Sequence, residues 1–144
     1  MNLRKALLPL AALPLLGAVP PTGADITVTI SNMRSHDGLV SACLAPDKKA
    51  FPDCGAPGGM DLTIPADKAG SFTFRNVAPG RYAIALLHDE NGNGKIDKAL
   101  MIPKEGFGFS RDAPIRMGPP AFSAAAFEVG GTNVSQPIKM RYIL

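Results

Sequence analysis

What most constrains this chain is an alternation of period two that never runs long. From residue 25 onward, apolar and polar residues trade places at every second position, and glycine, proline or aspartate interrupts them every few residues. Alternation of this kind puts one face of a strand in a core and the other in water, whereas a helix would repeat at 3.6 residues. The 14 prolines and 15 glycines act as punctuation, because proline lacks a ladder donor and glycine turns the chain. The chain is therefore expected to be all-β, with about seven short strands.

Ile26, Val28 and Ile30 alternate with Thr27 and Thr29 as a first strand with one wet face. Ser35-His36-Asp37-Gly38 reads as a hairpin turn into a return strand over 39–44, since Asp-Gly tolerates the positive φ of a tight hairpin. A loop rich in proline, glycine and charge follows over 46–59, with one short helical turn near 48–51. Strands are expected over 60–64 and 71–77, the second with Phe72 and Phe74 on one face. The segment 81–88 is the strongest strand. Tyr82, Ile84 and Leu86 lie on one side and Ala83, Ala85 and Leu87 on the other, so the strand is expected to be central and buried on both faces. Residues 98–123 are too long for a hairpin loop, and such loops are often functional. Strands over 124–129 and 134–143 close the domain, the last with Ile138, Met140 and Tyr142 inward. Two antiparallel sheets packed face to face bury such strands, giving a single antiparallel β-sandwich over 25–144.

Residues 1–24 read as a signal peptide. Arg4 and Lys5 precede an apolar stretch over 6–19, and Thr22-Gly23-Ala24 supplies the small residues of a cleavage site after Ala24, with Ala18 as second choice. The apolar stretch is too short, and too broken by Pro9 and Pro14, for a stable membrane anchor. Removing Arg4 and Lys5 leaves 13 Lys and Arg against 12 Asp and Glu, a net charge of +1. With no basic stripe interleaved with aromatics, nucleic acid is not an expected partner. Cys43 and Cys54 are the only cysteines. In an exported protein, periplasmic or extracellular, they are expected to form a disulfide. Their separation does not suit a C-x-x-C pair, and no histidine cluster completes a zinc site.

The chemistry concentrates in His88-Asp89-Glu90-Asn91-Gly92-Asn93-Gly94-Lys95-Ile96-Asp97. Calcium takes six to eight oxygens, and alternate residues of a tight loop can aim theirs inward. With Asp89 at position 1 of an EF-hand-type loop, Asn91 is position 3, Asn93 position 5 and Gly94 the turn glycine. Lys95 offers its backbone carbonyl at position 7, and Asp97 stands at position 9. Leu100 replaces the bidentate glutamate of position 12, so a Ca2+ site here is expected to be weak and structural. A metal-free Asn-Gly turn fits the same residues.

Elsewhere the signals are thinner. His88 ends the strong strand and is expected to orient the following loop. Ser110 is its nearest candidate nucleophile, but no triad spacing or nucleophile elbow exists. His36 is expected in solvent. Glu105, Phe107 and Phe109, with His88, form a candidate ligand surface on the 98–123 loop; the other reading has both rings plugging the end of the sandwich.

Two resemblances are carried by particular segments. Phe74-Arg75-Asn76-Val77-Ala78-Pro79-Gly80-Arg81-Tyr82 resembles the F-x-N-L-x-P-G-x-Y corner of transthyretin-like and carboxypeptidase-regulatory-like sandwiches. The run 88–97, the segment from Pro103 to Ser110, and that from Pro120 to Phe127 together resemble a family of small exported bacterial proteins of unknown function. That likeness implies a transthyretin-like or immunoglobulin-like sandwich outside the cytoplasm and no activity. Transthyretin-like folds include a hydrolase ending in Tyr-Arg-Gly-Ser; this chain ends Arg141-Tyr142-Ile143-Leu144, without that motif. The expected function is therefore a non-enzymatic binding or accessory module, its partner an unknown protein or small molecule. The alternative is a small-molecule or peptide binder, or as a lesser reading an enzyme, using the 98–123 loop.

Overall fold

The computed structural model describes residues 12–14, 17, 23–94, 98–99 and 102–144, with backbone alone at 98–99 and 102–103. Most of the expected leader, and the expected ligands Lys95 and Asp97, lie outside these residues. The elements are β1 (Ala24–Ser31), β2 (Leu39–Ala45), β3 (Met60–Pro65), β4 (Ser71–Val77), β5 (Gly80–Asp89), β6 (Lys98–Ala99), β7 (Ile102–Pro103), β8 (Gly106–Phe109), α1 (Phe122–Ala125), β9 (Phe127–Val129), β10 (Val134–Lys139) and β11 (Arg141–Tyr142). The smaller sheet has the order β10-β1-β4. The larger runs β11-β8-β5-β2-β3, with β9 also on β5. The expected all-β sandwich is present. One of its pairings, β1 with β10, is parallel; nearly the whole domain lies between these strands, which gives the long return a parallel pair needs.

The sheets meet through their apolar faces. Ile26 and Val28 of β1, Phe74 of β4 and Ile138 of β10 pack against Ala42 and Leu44 of β2 and Ile84 and Leu86 of β5. Burying each large aliphatic chain here contributes about 1.5–3 kcal/mol. The outer face of the larger sheet is covered as well. Cys43, Ala45, Ala83, Ala85 and Phe109 form a second cluster with Ala50, Phe51, Ala113 and Ala125. Phe51 meets Phe109 and Phe122 at ring distances of 5.9 and 6.2 Å. This second layer explains why β5 is apolar on both sides. It is made mostly of alanine, so the Cys43–Cys54 disulfide matters. Closing that loop contributes about 3 kcal/mol in the chain-entropy model, comparable to one of the buried rings.

Three local expectations change. β1 and β2 belong to different sheets, so 32–38 is a crossing between sheets rather than a hairpin turn; seven residues are too many for a two-residue hairpin, and β2 pairs with β3 and β5 instead. The strand expected over 124–129 begins only at Phe127, because α1 turns Phe122 and Ala125 into the second cluster. The 98–123 segment contributes a true strand, β8, against β5.

The sequence Gly106-Phe107-Gly108-Phe109 is itself a period-two pattern. A Cβ on Gly108 would stand 2.7 Å from Ile138 Cγ2 and 3.0 Å from Met140 Sδ, and one on Gly106 would stand 2.4 Å from the Tyr142 ring. The glycines let the chain pass from β10 into β11 directly beneath β8, while both Phe rings face the second cluster. Gly108→Ala should therefore lower unfolding free energy by about 1–3 kcal/mol. Gly131→Ala, which meets nothing within 4 Å, should stay within about 0.5 kcal/mol; urea unfolding of the two variants checks both.

Candidate functional site

The apolar strand β5 ends in two polar residues that remain buried: His88 is 0% and Asp89 2% exposed. Both are held in the sheet. Leu39 and Val40 of β2 lie opposite Asp89 and His88 on one side, and Gly106 lies opposite His88 on the other. Buried polar groups must be hydrogen-bonded or they destabilise the fold by about 1–3 kcal/mol each.

His88 is fully provided for. Its Nε2 lies 2.9 Å from the Asp37 carbonyl, which can only accept, so Nε2 carries the proton. Nδ1, 2.7 Å from the Tyr142 hydroxyl, then accepts from the phenol. The same hydroxyl accepts from the Arg34 backbone N–H at 3.3 Å. The Arg34 guanidinium stacks over the Tyr142 ring at 4.4 Å. Its Nε donates to Glu90 at 2.5 Å and its Nη2 to the Lys104 carbonyl at 2.9 Å, and Nη1 donates to Leu144 O. One planar cation thus ties the sheet crossing, the end of β5, the approach to β8 and β11, a fork geometry lysine would not supply. Gly38, at φ +73, lies so close to Asp89 that a Cβ would stand 2.0 Å from the Asp89 carbonyl oxygen. A side chain there would push the crossing off the strand end.

The loop after β5 folds back on Asp89. Gly92 N–H donates to the Asp89 carbonyl at 3.2 Å, and Gly94 N–H donates to Asp89 Oδ2 at 2.7 Å. Asn93 N–H donates to Asn91 Oδ1 at 3.2 Å. Gly92 and Gly94 take the left-handed φ values, +65 and +71, that favour glycine. Asp89 Oδ1 is buried and receives no hydrogen bond. Asn91 and Asn93 sit on the exposed turn. No cluster of three or more His, Cys, Asp or Glu side chains is present among the described residues.

The four residues of the candidate ligand surface do not share one surface. His88 faces the sandwich interior, toward Tyr142, while Phe107 and Phe109 project from the opposite face of the sheet into the second cluster. Glu105 is 3% exposed and Phe109 5%; Phe107 is half-buried. Open grooves of about 380 and 580 Å³ are lined by other residues, among them Pro114, Met117, Ile115 and Ile143. Ser110 is fully buried. Its Oγ accepts from Ile84 N–H at 2.9 Å and donates to the Ala125 carbonyl at 2.5 Å. Ile84 lies four residues back along β5 from His88, roughly 13 Å, so Ser110 and His88 are not brought together. His36 is exposed, as expected.

Arg34 and Glu90 were not singled out by sequence. Arg34 lies in an irregular crossing with no periodicity to mark it, and only the fold brings it to Tyr142.

A model of one bacterial family, described as an uncharacterized protein conserved in bacteria (DUF2141), matches residues 28–137. The chain belongs to that family. No curated protein and no solved structure matches it. The DUF2141 match runs from Val28 in β1 to Pro137 in β10, so it takes in strands of both sheets and the loop after β5.

The Tyr142 phenol is pushed above its ordinary range, chiefly by burial; the Arg34 backbone N–H opposes the shift, Glu90 adds to it, and the Arg34 guanidinium opposes it. Above about pH 10 the unfolded chain releases this proton while the folded chain still holds it. Stability should therefore fall as pH rises from there to the raised value. Tyr142→Phe should abolish that alkaline slope and the late-titrating phenol seen in an ultraviolet titration. It should also destabilise by about 1–3 kcal/mol at neutral pH, since His88 Nδ1 loses its donor.

Proposed function

We propose that this DUF2141 protein works outside the cytoplasm as a non-enzymatic binding or accessory module, with the loop over 89–97 ordered by a weakly held calcium ion. The observation that carries the reading is Asp89. Its carboxylate is 2% exposed; Oδ2 takes the Gly94 N–H and Oδ1 takes none. A buried carboxylate oxygen without a donor is strongly disfavoured, and a cation bound to it relieves that penalty. The loop folds back on the same carboxylate through the Gly94 N–H, and its sequence carries oxygen-bearing residues at alternate positions, the residue types calcium accepts. Without a glutamate at position 100 the affinity belongs at ~10⁻⁴ to 10⁻³ M, the range of extracellular modules.

Placement outside the cytoplasm is supported by the Cys43–Cys54 disulfide, since such bonds persist in oxidising compartments, and by the leader-like residues 1–24. β1 already includes Ala24, which is 1% exposed and pairs with Val77. Cleavage after Ala18 would leave β1 whole, whereas cleavage after Ala24 would shorten it by one residue. The Phe74 to Tyr82 corner, whose sequence resembles that of transthyretin-like sandwiches, forms a tight turn between β4 and β5. There Asn76 adopts φ +53, its Oδ1 accepts from Gly23 N–H at 3.0 Å, and Tyr82 OH donates to the Ala78 carbonyl at 2.8 Å.

Thermal melts in about 10–100 mM calcium, 100 times that Kd range, against chelator test the metal. Calcium at 100 times Kd should add ~2.7 kcal/mol of stability. An absent shift in the wild type, or an equal one in Asp89→Ala, refutes the calcium reading.

A further inference from the structure

We propose that the surface formed by Met117, Ile143 and Leu144, with Arg111 and Arg116 beside it, docks reversibly on the face of a bilayer that carries anionic lipids. The inference goes beyond the calcium reading and does not depend on it. Four large apolar side chains are exposed among the described residues of the folded domain: Met60 at 38%, Met117 at 111%, Ile143 at 47% and Leu144 at 50%. Singly, such residues need no explanation. Three of these four gather in one place. Met117 borders the groove of about 380 Å³ and Ile143 the groove of about 580 Å³, and the two adjoin at Pro114, which lines both.

The apolar tip is held in place. Ala113 and Ile115 pack into the second cluster, while Pro114 and Arg116 between and after them are exposed. Arg116 N–H then donates to the Gly118 carbonyl at 3.3 Å, closing a tight turn with Met117 at its tip. Pro114, Pro119 and Pro120 restrict the backbone on either side. Once the ion pair is set aside, the charges here are of one sign. Asp112 is the one acid lining either groove, and Arg141 holds it, Nη2 to Oδ2 at 2.6 Å and Nε to Oδ1 at 3.1 Å. Arg116, in the lining of the first groove, and Arg111, which precedes Asp112, are exposed and form no ion pair among the described residues. An anionic partner complements them. A protruding methionine suits a bilayer better than a rigid protein, because it enters the acyl boundary without needing a matching pocket. The arginine stems can lie along that boundary while their forks meet phosphate oxygens. Affinity follows buried apolar area plus attraction to anionic lipid, and with so few groups of each kind the binding is reversible.

Co-sedimentation of the exported protein with vesicles tests this, in chelator so that calcium plays no part. Vesicles of phosphatidylcholine alone are set against an equal mixture with phosphatidylglycerol. The wild type should bind the mixture at least about tenfold more tightly, since each cation near an anionic surface adds attraction. That preference should fade as salt rises from about 0.01 M to about 0.15 M, where the Debye length falls from about 30 to about 8 Å. Arg116→Gln should lower the partition coefficient about fivefold, and Met117→Ser about tenfold. Lys68→Gln removes the same charge beside β3, at the opposite edge of the larger sheet from β11, and should stay within about twofold. Because the chain has no tryptophan, Met117→Trp reports insertion directly. Its emission should shift to the blue with the mixed vesicles, and that of Lys68→Trp should not. A wild type that binds neither vesicle overturns the proposal, as does an unshifted Met117→Trp spectrum. Equal losses in Arg116→Gln and Lys68→Gln would assign the attraction to net charge and overturn it too. Sedimentation equilibrium covers the other occupant: a wild-type dimer that Met117→Ser makes monomeric, without vesicle binding, gives this face to a second copy and refutes the bilayer.

Discussion

The sandwich depends on β5 being buried on both faces. Its Ile84 and Leu86 close the core between the sheets, and its Ala83 and Ala85 floor a second cluster roofed by Phe51, Phe109 and Phe122. β5 is also paired along both of its edges: β2 runs along one, and β9 and β8 take successive stretches of the other. The small alanines on the outer face let the 46–59 loop approach closely. That loop has little regular structure. Asp47 Oδ1 accepts from the N–H groups of Lys49 and Ala50, and the Cys43–Cys54 bond ties its far end to β2. The disulfide therefore holds a roof, not merely two neighbouring strands.

Such a strand has to end somewhere, and here it ends in polar residues before reaching water. His88 and Asp89 are as buried as the apolar residues before them. Everything at this end of the molecule follows from satisfying them. Gly38 gives up its side chain so that the crossing can lie against Asp89, Asp37 lends its carbonyl to His88, and Tyr142 donates from β11. Arg34 then locks Tyr142 from above. An exposed Arg–Glu pair alone contributes little. This arginine, about two-fifths exposed, gains from donating to two backbone acceptors and stacking on a ring besides its pairing with Glu90.

Legibility in the sequence tracks how local each cause is. The strands over 60–64, 71–77 and 81–88 and the inward set Ile138, Met140 and Tyr142 follow from alternation within one strand, and they are observed nearly as read. The tight turn at 89–94 follows from its Asn and Gly residues. The β1–β2 connection misleads because Asp-Gly marks a left-handed glycine correctly, at φ +73, without saying which strand comes next. The α1 turn is missed because Phe122-Ser123-Ala124-Ala125 carries no period, and what bends it is the Ser110 hydroxyl holding the Ala125 carbonyl from another segment. Arg34 is invisible for the same reason: each of its partners lies more than 50 residues away.

The Gly-x-Gly pattern of β8 shows how alternation can be written without any apolar–polar contrast. Gly106 and Gly108 stand where space is short, under Tyr142 and under Ile138 and Met140, and Phe107 and Phe109 stand where a second core must be filled. The pattern is small against large rather than wet against dry, so hydropathy reads it as loop. The same two-residue rhythm continues backward to Glu105. A residue on the Phe107 side of the strand should be apolar if packing alone chose it, since its partner positions on that face are Leu87 and Phe107. A buried glutamate just before β8 departs from the small and apolar pattern of the strand that follows it. Departures of that kind mark where a requirement other than packing has set the residue.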